Sequence, residues 1–247
     1  MRQFDGLTAV DEVDLDIPRG EIYGFLGPNG AGKSTTVRML CTLLAPTGGR
    51  AWVAGHDVAS QPGDVRLRIG AALQEAALDP KQTGAELLRL QGLLYGLPKS
   101  AMPQRVAELG ELIDLSDALD RPIDTYSGGM KRRLEIARGL IHAPRVLFLD
   151  EPTVGLDPQT RVHIWDYVDD LRRRESTTMF LTTHYMDEAE RCDRIAIIDQ
   201  GRIVAIDTPD ALKAAVGTDC VAFATADDAL AACQLGEAFG IEVVGQN

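Results

Sequence analysis

The chain has 247 residues, which is enough for a full α/β core and close to the upper size of one compact domain. Its formal net charge of −12 and its pI near 4.8 argue against nucleic acid as a partner, because binding a phosphate backbone requires clustered lysine and arginine side chains. No apolar run reaches the roughly 18 to 20 residues that span a bilayer, and the first residues lack the layout of a secretion signal. We therefore expect a cytoplasmic chain.

Apolar runs of strand length alternate with helical stretches, which is typical of a mainly parallel sheet covered by helices. The run VLFL at residues 146–149 is apolar at every position, so we expect a central strand that is buried on both faces. The turn Gln200–Gly201 separates a strand pattern from RIVAID, which predicts an antiparallel β-ribbon at the sheet edge. The predicted strands before this turn cover residues 21–26, 68–73, 146–150, 177–183 and 194–199.

Two segments depart from this alternation. Residues 83–140 carry consecutive leucine-rich helical patterns, which predict a helical subdomain. Thr208 and Pro209 suit the N-cap and the first position of a helix that ends near Gly217, so we place the main domain at residues 1–217. Residues 218–247 contain VAFATA, an alanine-rich stretch and IEVV, which predict a small β-α-β-like appendage.

The run GPNGAGKST at residues 27–35 follows a predicted strand and precedes a helical stretch, as a phosphate-binding loop with the spacing GxxxxGK[ST] does. Glycines allow successive N–H groups to point at phosphate oxygens, and the next helix presents its positive N-terminus to the same anion. Lys33 is expected to reach the β- and γ-phosphates, and the Ser34 hydroxyl to ligate Mg²⁺. The alternative, a glycine-rich turn with a chance lysine, is disfavoured by the strand and helix on either side. The predicted nucleotide-binding residues, for ATP or GTP, are Gly27, Pro28, Asn29, Gly30, Ala31, Gly32, Lys33, Ser34, Thr35 and Thr36.

An acidic pair follows the buried strand VLFL. Asp150 ends this strand, at the edge where parallel α/β sheets bind ligands, and we expect it to hold Mg²⁺ through water. Glu151 is placed to take a proton from the attacking water, because phosphoryl transfer depends mainly on positioning and charge stabilisation. Taken alone, such a pair is most often the start of a solvated loop. Its presence in one chain with the phosphate-binding loop favours a general base at Glu151.

The run YSGGMKRRLEIA at residues 126–137 resembles the signature element of the ABC ATPase family. The resemblance implies that Ser127, Gly128 and Gly129 open a helix that contacts the γ-phosphate of ATP held by a second, identical chain. An ordinary N-cap at Ser127 is the alternative for this residue alone. Tyr126 and Met130 replace the commonest residues of the signature and look like the branch of drug exporters similar to daunorubicin-resistance ATPases.

Further motifs occur in the order that the family has them. Gln74 matches the Q-loop, whose side chain in the family approaches Mg²⁺ and the attacking water, and whose loop receives a helix of the membrane subunit. Asp157, in GLDP, matches the D-loop of the dimer interface, and it also suits an N-cap before Pro158. His184 matches the switch histidine that contacts the γ-phosphate. The resemblance thus implies that catalysis depends on Lys33, Gln74, Glu151 and His184, and that Ser34, Gln74 and Asp150 serve the metal.

The family stacks adenine on an aromatic residue upstream of the phosphate-binding loop, and Phe4 is the best match. Such stacking is worth only about 0.5 to 1.5 kcal/mol beyond burial. We therefore expect Phe4 to support ATP binding without being essential for it.

The resemblance covers roughly residues 4–217 and implies an α/β P-loop ATPase of the ABC type, with ATP and Mg²⁺ as cofactors. It implies a homodimer closed by ATP and reopened by hydrolysis, attached to a separately encoded membrane permease at the inner face of the cell membrane. A drug or antibiotic exporter is the leading hypothesis, and a lipid, glycan or ion exporter is the alternative. Ribosome-acting ABC proteins usually carry two ATPase domains, and chromosome or repair ATPases carry a long coiled coil, so the single phosphate-binding loop and the short spacing from Lys33 to Asp150 disfavour both.

Overall fold

The computed structural model describes residues 1–73, 78–175 and 177–216, together with residues 231, 234 and 235. None of the helices in this part of the chain combines the length and the apolar character needed to cross a bilayer. The chain separates into two units, Met1–Leu212 and Lys213–Asn247. The predicted end of the main domain at Gly217, and nearly all of the predicted appendage at residues 218–247, lie outside the described residues.

In the part of the chain that the structure describes, six strands form the central sheet, in the order β10-β9-β3-β8-β7-β6. All neighbours in this sheet are parallel except β9 and β10, which confirms the predicted parallel core with an antiparallel ribbon at its edge. The strands of the described chain are β1 (Arg2–Phe4), β2 (Leu7–Val10), β3 (Ile22–Leu26), β4 (Trp52–Val53), β5 (His56–Asp57), β6 (Ile69–Ala72), β7 (Val146–Asp150), β8 (Thr178–Thr183), β9 (Arg194–Asp199) and β10 (Arg202–Asp207).

Eight α-helices accompany the strands within residues 1–216 of the described chain. The three helices α3 to α5 fall in the segment predicted to be a helical subdomain, and α3 begins with a capping box in which Thr83 and Glu86 bond each other's backbone N–H. The helices are α1 (Lys33–Leu40), α2 (Pro62–Arg66), α3 (Gly84–Leu94), α4 (Met102–Leu112), α5 (Gly128–Leu140), α6 (Pro158–Glu175), α7 (Met186–Ala189) and α8 (Pro209–Val216).

Side chains of the central strands alternate between two hydrophobic clusters. On β7, Leu147 and Leu149 belong to the cluster that includes α3, α4 and α5. Phe148 belongs to a second cluster, where the ring of Phe180 packs against the rings of Phe25 and Phe148. Strand β7 is therefore buried on both faces, as predicted.

Two short ribbons were not predicted. β1 pairs with β2, and β4 pairs with β5, in two antiparallel sheets separate from the central one. Each of these strands has only two to four residues, which is too short for a clear alternation of apolar and polar residues.

Three functional segments begin side by side at the carboxyl ends of the central parallel strands. β3, β8 and β7 are consecutive neighbours, and Leu26 pairs with Thr183 while Asp150 pairs with Thr182. Because these strands are parallel, the segments after them begin side by side. These segments start at Gly27, His184 and Glu151.

Candidate active site

The phosphate-binding loop joins β3 to the N-terminus of α1, as predicted. Gly32 has φ 107°, and a Cβ atom there would lie 2.5 Å from the backbone oxygen of Ala9. A Cβ atom at Gly27 would lie 2.3 Å from the backbone oxygen of Ile198. Both positions therefore require glycine. The loop places the start of α1 at the carboxyl ends of the strands. The first N–H groups of this helix have no partner within the helix and can donate to a bound anion.

Lys33 directs its side chain into this loop. Its Nζ donates to Gly27 O at 2.8 Å and to Pro28 O at 3.1 Å, and it lies 3.5 Å from Glu151 Oε1. Both charged side chains are almost fully buried, at 5% and 8% exposure. The ammonium group is thus held between the loop carbonyls and the predicted general base.

The predicted metal residues Ser34 and Asp150 are in direct contact. Ser34 Oγ donates to Asp150 Oδ1 at 3.2 Å, and the hydroxyl of Thr182 donates to the same oxygen. A hydroxyl and a carboxylate side by side are oxygen ligands of the kind that Mg²⁺ prefers, and Mg²⁺ usually takes only one or two protein ligands when phosphates supply others. These residues therefore fit the metal. Among the described residues, no group of three or more His, Cys, Asp or Glu side chains could hold a metal.

Glu151 adopts an unusual backbone conformation, with φ 48°. A left-handed conformation costs a residue other than glycine about 1 to 2 kcal/mol, so neighbouring contacts must hold it. The N–H of Glu151 donates to Thr182 O at 3.1 Å and to Thr182 Oγ1 at 3.0 Å. The carboxylate Oε1 lies 3.3 Å from His184 Nδ1. Glu151 therefore stands between a lysine ammonium and an imidazole, where a carboxylate can accept a proton from a bound water.

Several of these groups line a cleft of about 560 Å³. Ala9 and Val154, which were not predicted, also line it. The predicted residues that line the cleft are Asn29, Gly30, Gly32, Lys33, Ser34, Thr35, Glu151 and His184. The predicted residues that do not are Phe4, Gly27, Pro28, Ala31, Thr36, Ser127, Gly128, Gly129, Asp150 and Asp157. Gln74 lies outside the described residues.

A larger cavity, of about 870 Å³, lies beside residues 13–17 and the aromatic side chains of Phe148 and Phe180. It contains none of the charged residues of the cleft. Thr36 lines this cavity, and its hydroxyl donates to Gly32 O at 3.0 Å. The polar groups that could act on a phosphate converge in the smaller cleft.

The signature element caps helix α5. Ser127 is exposed, and its hydroxyl accepts a hydrogen bond from Met130 N at 3.2 Å. A Cβ atom at Gly129 would lie 2.5 Å from Thr160 Cγ2, so this glycine permits close packing of α5 against the first turn of α6.

Asp157 caps helix α6. Its Oδ1 accepts from Thr160 N at 3.0 Å and its Oδ2 from Thr160 Oγ1 at 2.6 Å, as an N-cap before Pro158 should. These hydrogen bonds hold the pKa of the Asp157 carboxyl below its usual range. Phe4 is exposed, and the Arg2 guanidinium lies 4.5 Å from the centre of its ring. The roles predicted for Ser127, Gly129, Asp157 and Phe4 stay predictions.

Three buried polar residues near the cleft were not predicted. The Thr182 hydroxyl donates to Asp150 and accepts from Glu151 N. Arg132 donates to Asp150 O at 2.8 Å. Glu188, on α7, accepts a hydrogen bond from the hydroxyl of Thr153. Burial raises the pKa of Glu188, with Glu151 adding to the shift while Thr183, Arg161 and His184 oppose it.

This chain is similar in sequence to known proteins. The family model described as "ABC transporter" matches residues 10–154. The daunorubicin/doxorubicin resistance ATP-binding protein DrrA of Streptomyces peucetius is 50% identical over 220 residues, which are 89% of this chain and 66% of that protein. The linearmycin resistance ATP-binding protein LnrL of Bacillus subtilis is 42% identical over 215 residues, which are 87% of this chain and 69% of that protein. The chain thus spans about two thirds of the length of these relatives.

A solved structure shows the same architecture. The dimeric structure of a bacterial ABC transporter cassette matches with a TM-score of 0.75 at 25% identity, over 82% of this chain and 91% of that one. The sequence and structural matches therefore agree on one family.

Proposed function

The chain belongs to the ABC transporter family of ATP-binding cassette ATPases, and on that premise we propose that it hydrolyses Mg·ATP in the cleft at the ends of β3, β8 and β7. The observation that carries this proposal is the convergence of three side chains from three separate segments. Glu151 Oε1 lies 3.5 Å from Lys33 Nζ and 3.3 Å from His184 Nδ1. Phosphoryl transfer to water requires groups of this kind: a cation here supplied by Lys33, a base by Glu151 and an imidazole by His184, beside the N-terminus of a helix.

Each residue then has a defined task. The N–H groups of the phosphate-binding loop and Lys33 bind the β- and γ-phosphates, while Ser34 and Asp150 hold Mg²⁺. Mg²⁺, when bound, neutralises charge that develops on the phosphate oxygens. Glu151 accepts a proton from the water whose oxygen attacks the γ-phosphorus, as the bond to the leaving ADP breaks. His184 holds the Glu151 carboxylate and contacts the γ-phosphate, and Gln74 approaches the same water.

We further propose that a complete site needs two chains. The cleft contains no residue of the signature element and lacks Asp157. Ser127, Gly128 and Gly129 lie at the exposed start of α5, where a helix N-terminus offers N–H groups to an anion. A homodimer in which these residues contact the ATP of the partner chain, with Asp157 at the interface, accounts for their separation from the cleft. Phe4 is proposed to stack against the adenine of the ATP bound by its own chain. The dimeric cassette described above supports this arrangement.

The transport role follows from the relatives. Proteins named for daunorubicin, doxorubicin and linearmycin resistance share 42% to 50% identity with this chain. We infer that this chain powers a drug or antibiotic exporter by binding a separately encoded permease at the inner face of the membrane. Closure of the dimer by ATP and its reopening after hydrolysis would drive that permease.

Glu151→Gln tests the mechanism, because glutamine keeps the shape of the side chain but cannot take up the proton. A general base contributes about 10² to 10⁴ in rate, so turnover should fall by this factor while Mg·ATP binding survives. The uncleaved ATP should then hold two chains together, and the dimer should accumulate when the variant is sized with Mg·ATP. Asp187→Asn is the matched control, because it neutralises an exposed carboxylate close to His184 and should change neither result.

Two outcomes contradict separate parts of the proposal. Near-normal turnover in Glu151→Gln would remove Glu151 from its role as the base. Loss of turnover in a chain that stays monomeric with Mg·ATP would leave the base in place and count against the two-chain site. Repeating the sizing with the permease present decides whether the dimer depends on that partner.

A further inference from the structure

A buried arginine lies behind the candidate general base. Arg132 occupies the second turn of α5 and is 9% exposed. It does not line the cleft. A guanidinium group buried at this depth must find partners for its N–H groups, since an unsatisfied buried charge is costly.

Those partners are backbone carbonyls on both sides of Glu151. Arg132 Nη2 donates to Asp150 O at 2.8 Å, and Nε donates to Pro152 O at 3.0 Å. A third contact reaches the neighbouring strand, where Nη1 donates to Leu73 O at 2.8 Å. The Arg132 guanidinium thereby hydrogen-bonds to both residues that flank Glu151. It also hydrogen-bonds to Leu73, the residue immediately before Gln74.

These carbonyls lie where the strand ladder stops. The β6–β7 pairing ends at Ala72 and Leu149, so Leu73 and Pro152 follow the last paired residues of their strands. Glu151 itself has the left-handed conformation described above, and its N–H is held from the opposite side by Thr182. Arg132 and Thr182 thus hold the backbone around Glu151 from two directions.

The charge of Arg132 is matched within its own helix. Glu135 Oε2 lies 3.1 Å from Arg132 Nη1, and Glu135 is 2% exposed. Its other oxygen has no hydrogen-bond partner among the described residues. Glu135 therefore accepts a hydrogen bond from Arg132, whose guanidinium also donates to the strand carbonyls.

We propose that Arg132 is a positioning residue for ATP hydrolysis, fixing the backbone of Glu151 through the carbonyls of Asp150 and Pro152. This inference rests on the proposed function. It differs from a role in stability alone, because it requires that the effect of Arg132 on the rate passes through Glu151.

The test compares two neighbouring arginines. Arg132→Lys keeps the positive charge beside Glu135 but loses the fork that joins three carbonyls. Arg133→Lys is the matched control, because Arg133 Nη1 also donates to backbone carbonyls, of Ile113 at 2.8 Å and Asp114 at 3.2 Å, in a different part of the subdomain. Turnover and Mg·ATP affinity are measured for each variant, with rates expressed per nucleotide-binding site.

A displacement of about 1 Å at a catalytic group costs up to about 100-fold in rate, so Arg132→Lys should lower turnover by about 10-fold to 100-fold. Its Mg·ATP affinity should stay within about threefold of normal, and Arg133→Lys should leave both quantities within that range. The decisive measurement places Arg132→Lys in the Glu151→Gln background. Because the base is already absent there, the second substitution should lower the residual rate by less than about threefold.

Normal turnover per bound site in Arg132→Lys would overturn the inference. So would an equal loss of rate with and without Glu151, which is the behaviour of a residue that acts on folding alone. If Arg132→Lys fails to fold, Arg132→Gln with Glu135→Gln removes both buried charges together and is judged by the same criteria. The effect of Glu151→Gln by itself tests the proposed function separately.

Discussion

The hydroxyl of Thr182 provides a test of how the two acidic residues are held. It donates to Asp150 Oδ1 and accepts from Glu151 N at 3.0 Å, and Thr182 is fully buried. Thr182→Val keeps the branched shape of the side chain and removes both hydrogen bonds. The substitution therefore separates the hydroxyl from its packing.

The expected loss of stability follows from these contacts. A hydrogen bond to a charged group such as the Asp150 carboxylate contributes about 1.5 to 3 kcal/mol. The loss at Glu151 N is smaller, because this N–H also donates to Thr182 O at 3.1 Å. The methyl group that valine has in place of the hydroxyl is also buried, and its burial offsets about 0.8 kcal/mol of this loss. We expect the free energy of unfolding to fall by about 1 to 3 kcal/mol.

Urea unfolding and steady-state ATP hydrolysis measure the two consequences. Turnover should fall at least about tenfold, because Glu151 loses one of the contacts that hold its left-handed backbone. Thr177→Val is the control, since Thr177 is also buried but its hydroxyl donates a long hydrogen bond, to Pro144 O at 3.4 Å. Equal losses of stability in the two variants, together with normal turnover in Thr182→Val, would refute this account of Thr182.

Two further predictions concern other buried charges of the site. Lys33→Ala should weaken Mg·ATP binding by at least about tenfold in a titration, because the phosphates lose a charge-assisted contact, and normal affinity would mean that the phosphate-binding loop is misassigned. Burial raises the pKa of Glu188, so its contribution to stability is present below the unfolded value, about 4.3, and is lost as the pH rises towards the folded pKa. Glu188→Gln should therefore gain stability relative to the unmodified protein as the pH is raised from about 4 in unfolding experiments, and a difference independent of pH would contradict this.

The central sheet could be predicted because its strands are long apolar runs bounded by turn residues. The turn Gln200–Gly201 has φ 47° and 81°, the left-handed pair that a two-residue hairpin requires. Thr208 accepts from Ala211 N at 3.3 Å and caps α8 as predicted. The ribbons β1–β2 and β4–β5 escaped prediction because so few residues carry no readable periodicity.

The supporting residues of the site could not be predicted in the same way. A run of Lys131, Arg132 and Arg133 reads as a solvated basic surface, and the contacts of Arg132 with Leu73 and Asp150 join residues far apart in sequence. The available signal was helical spacing, since Arg132 shares one buried face of α5 with Glu135 and Ile136. The position of a motif at a strand end follows from the strand itself. The contacts of a supporting side chain such as Arg132 follow from how the helical subdomain packs, which the sequence does not show.

Helix α5 links the proposed contact with the partner chain's nucleotide to the proposed positioning of Glu151. Its exposed N-terminus carries Ser127, which the proposed dimer places against the nucleotide of the partner chain, and its second turn carries Arg132, which holds the backbone beside Glu151 of its own chain. The helix hydrogen bonds between these two turns make them one rigid body. A displacement of the N-terminus on closing around the partner's ATP would therefore move the Arg132 guanidinium, and with it the carbonyls of Asp150 and Pro152. On this argument each chain aligns its own base when it engages the other chain's nucleotide, which would couple hydrolysis at the two sites without any contact between the two glutamates.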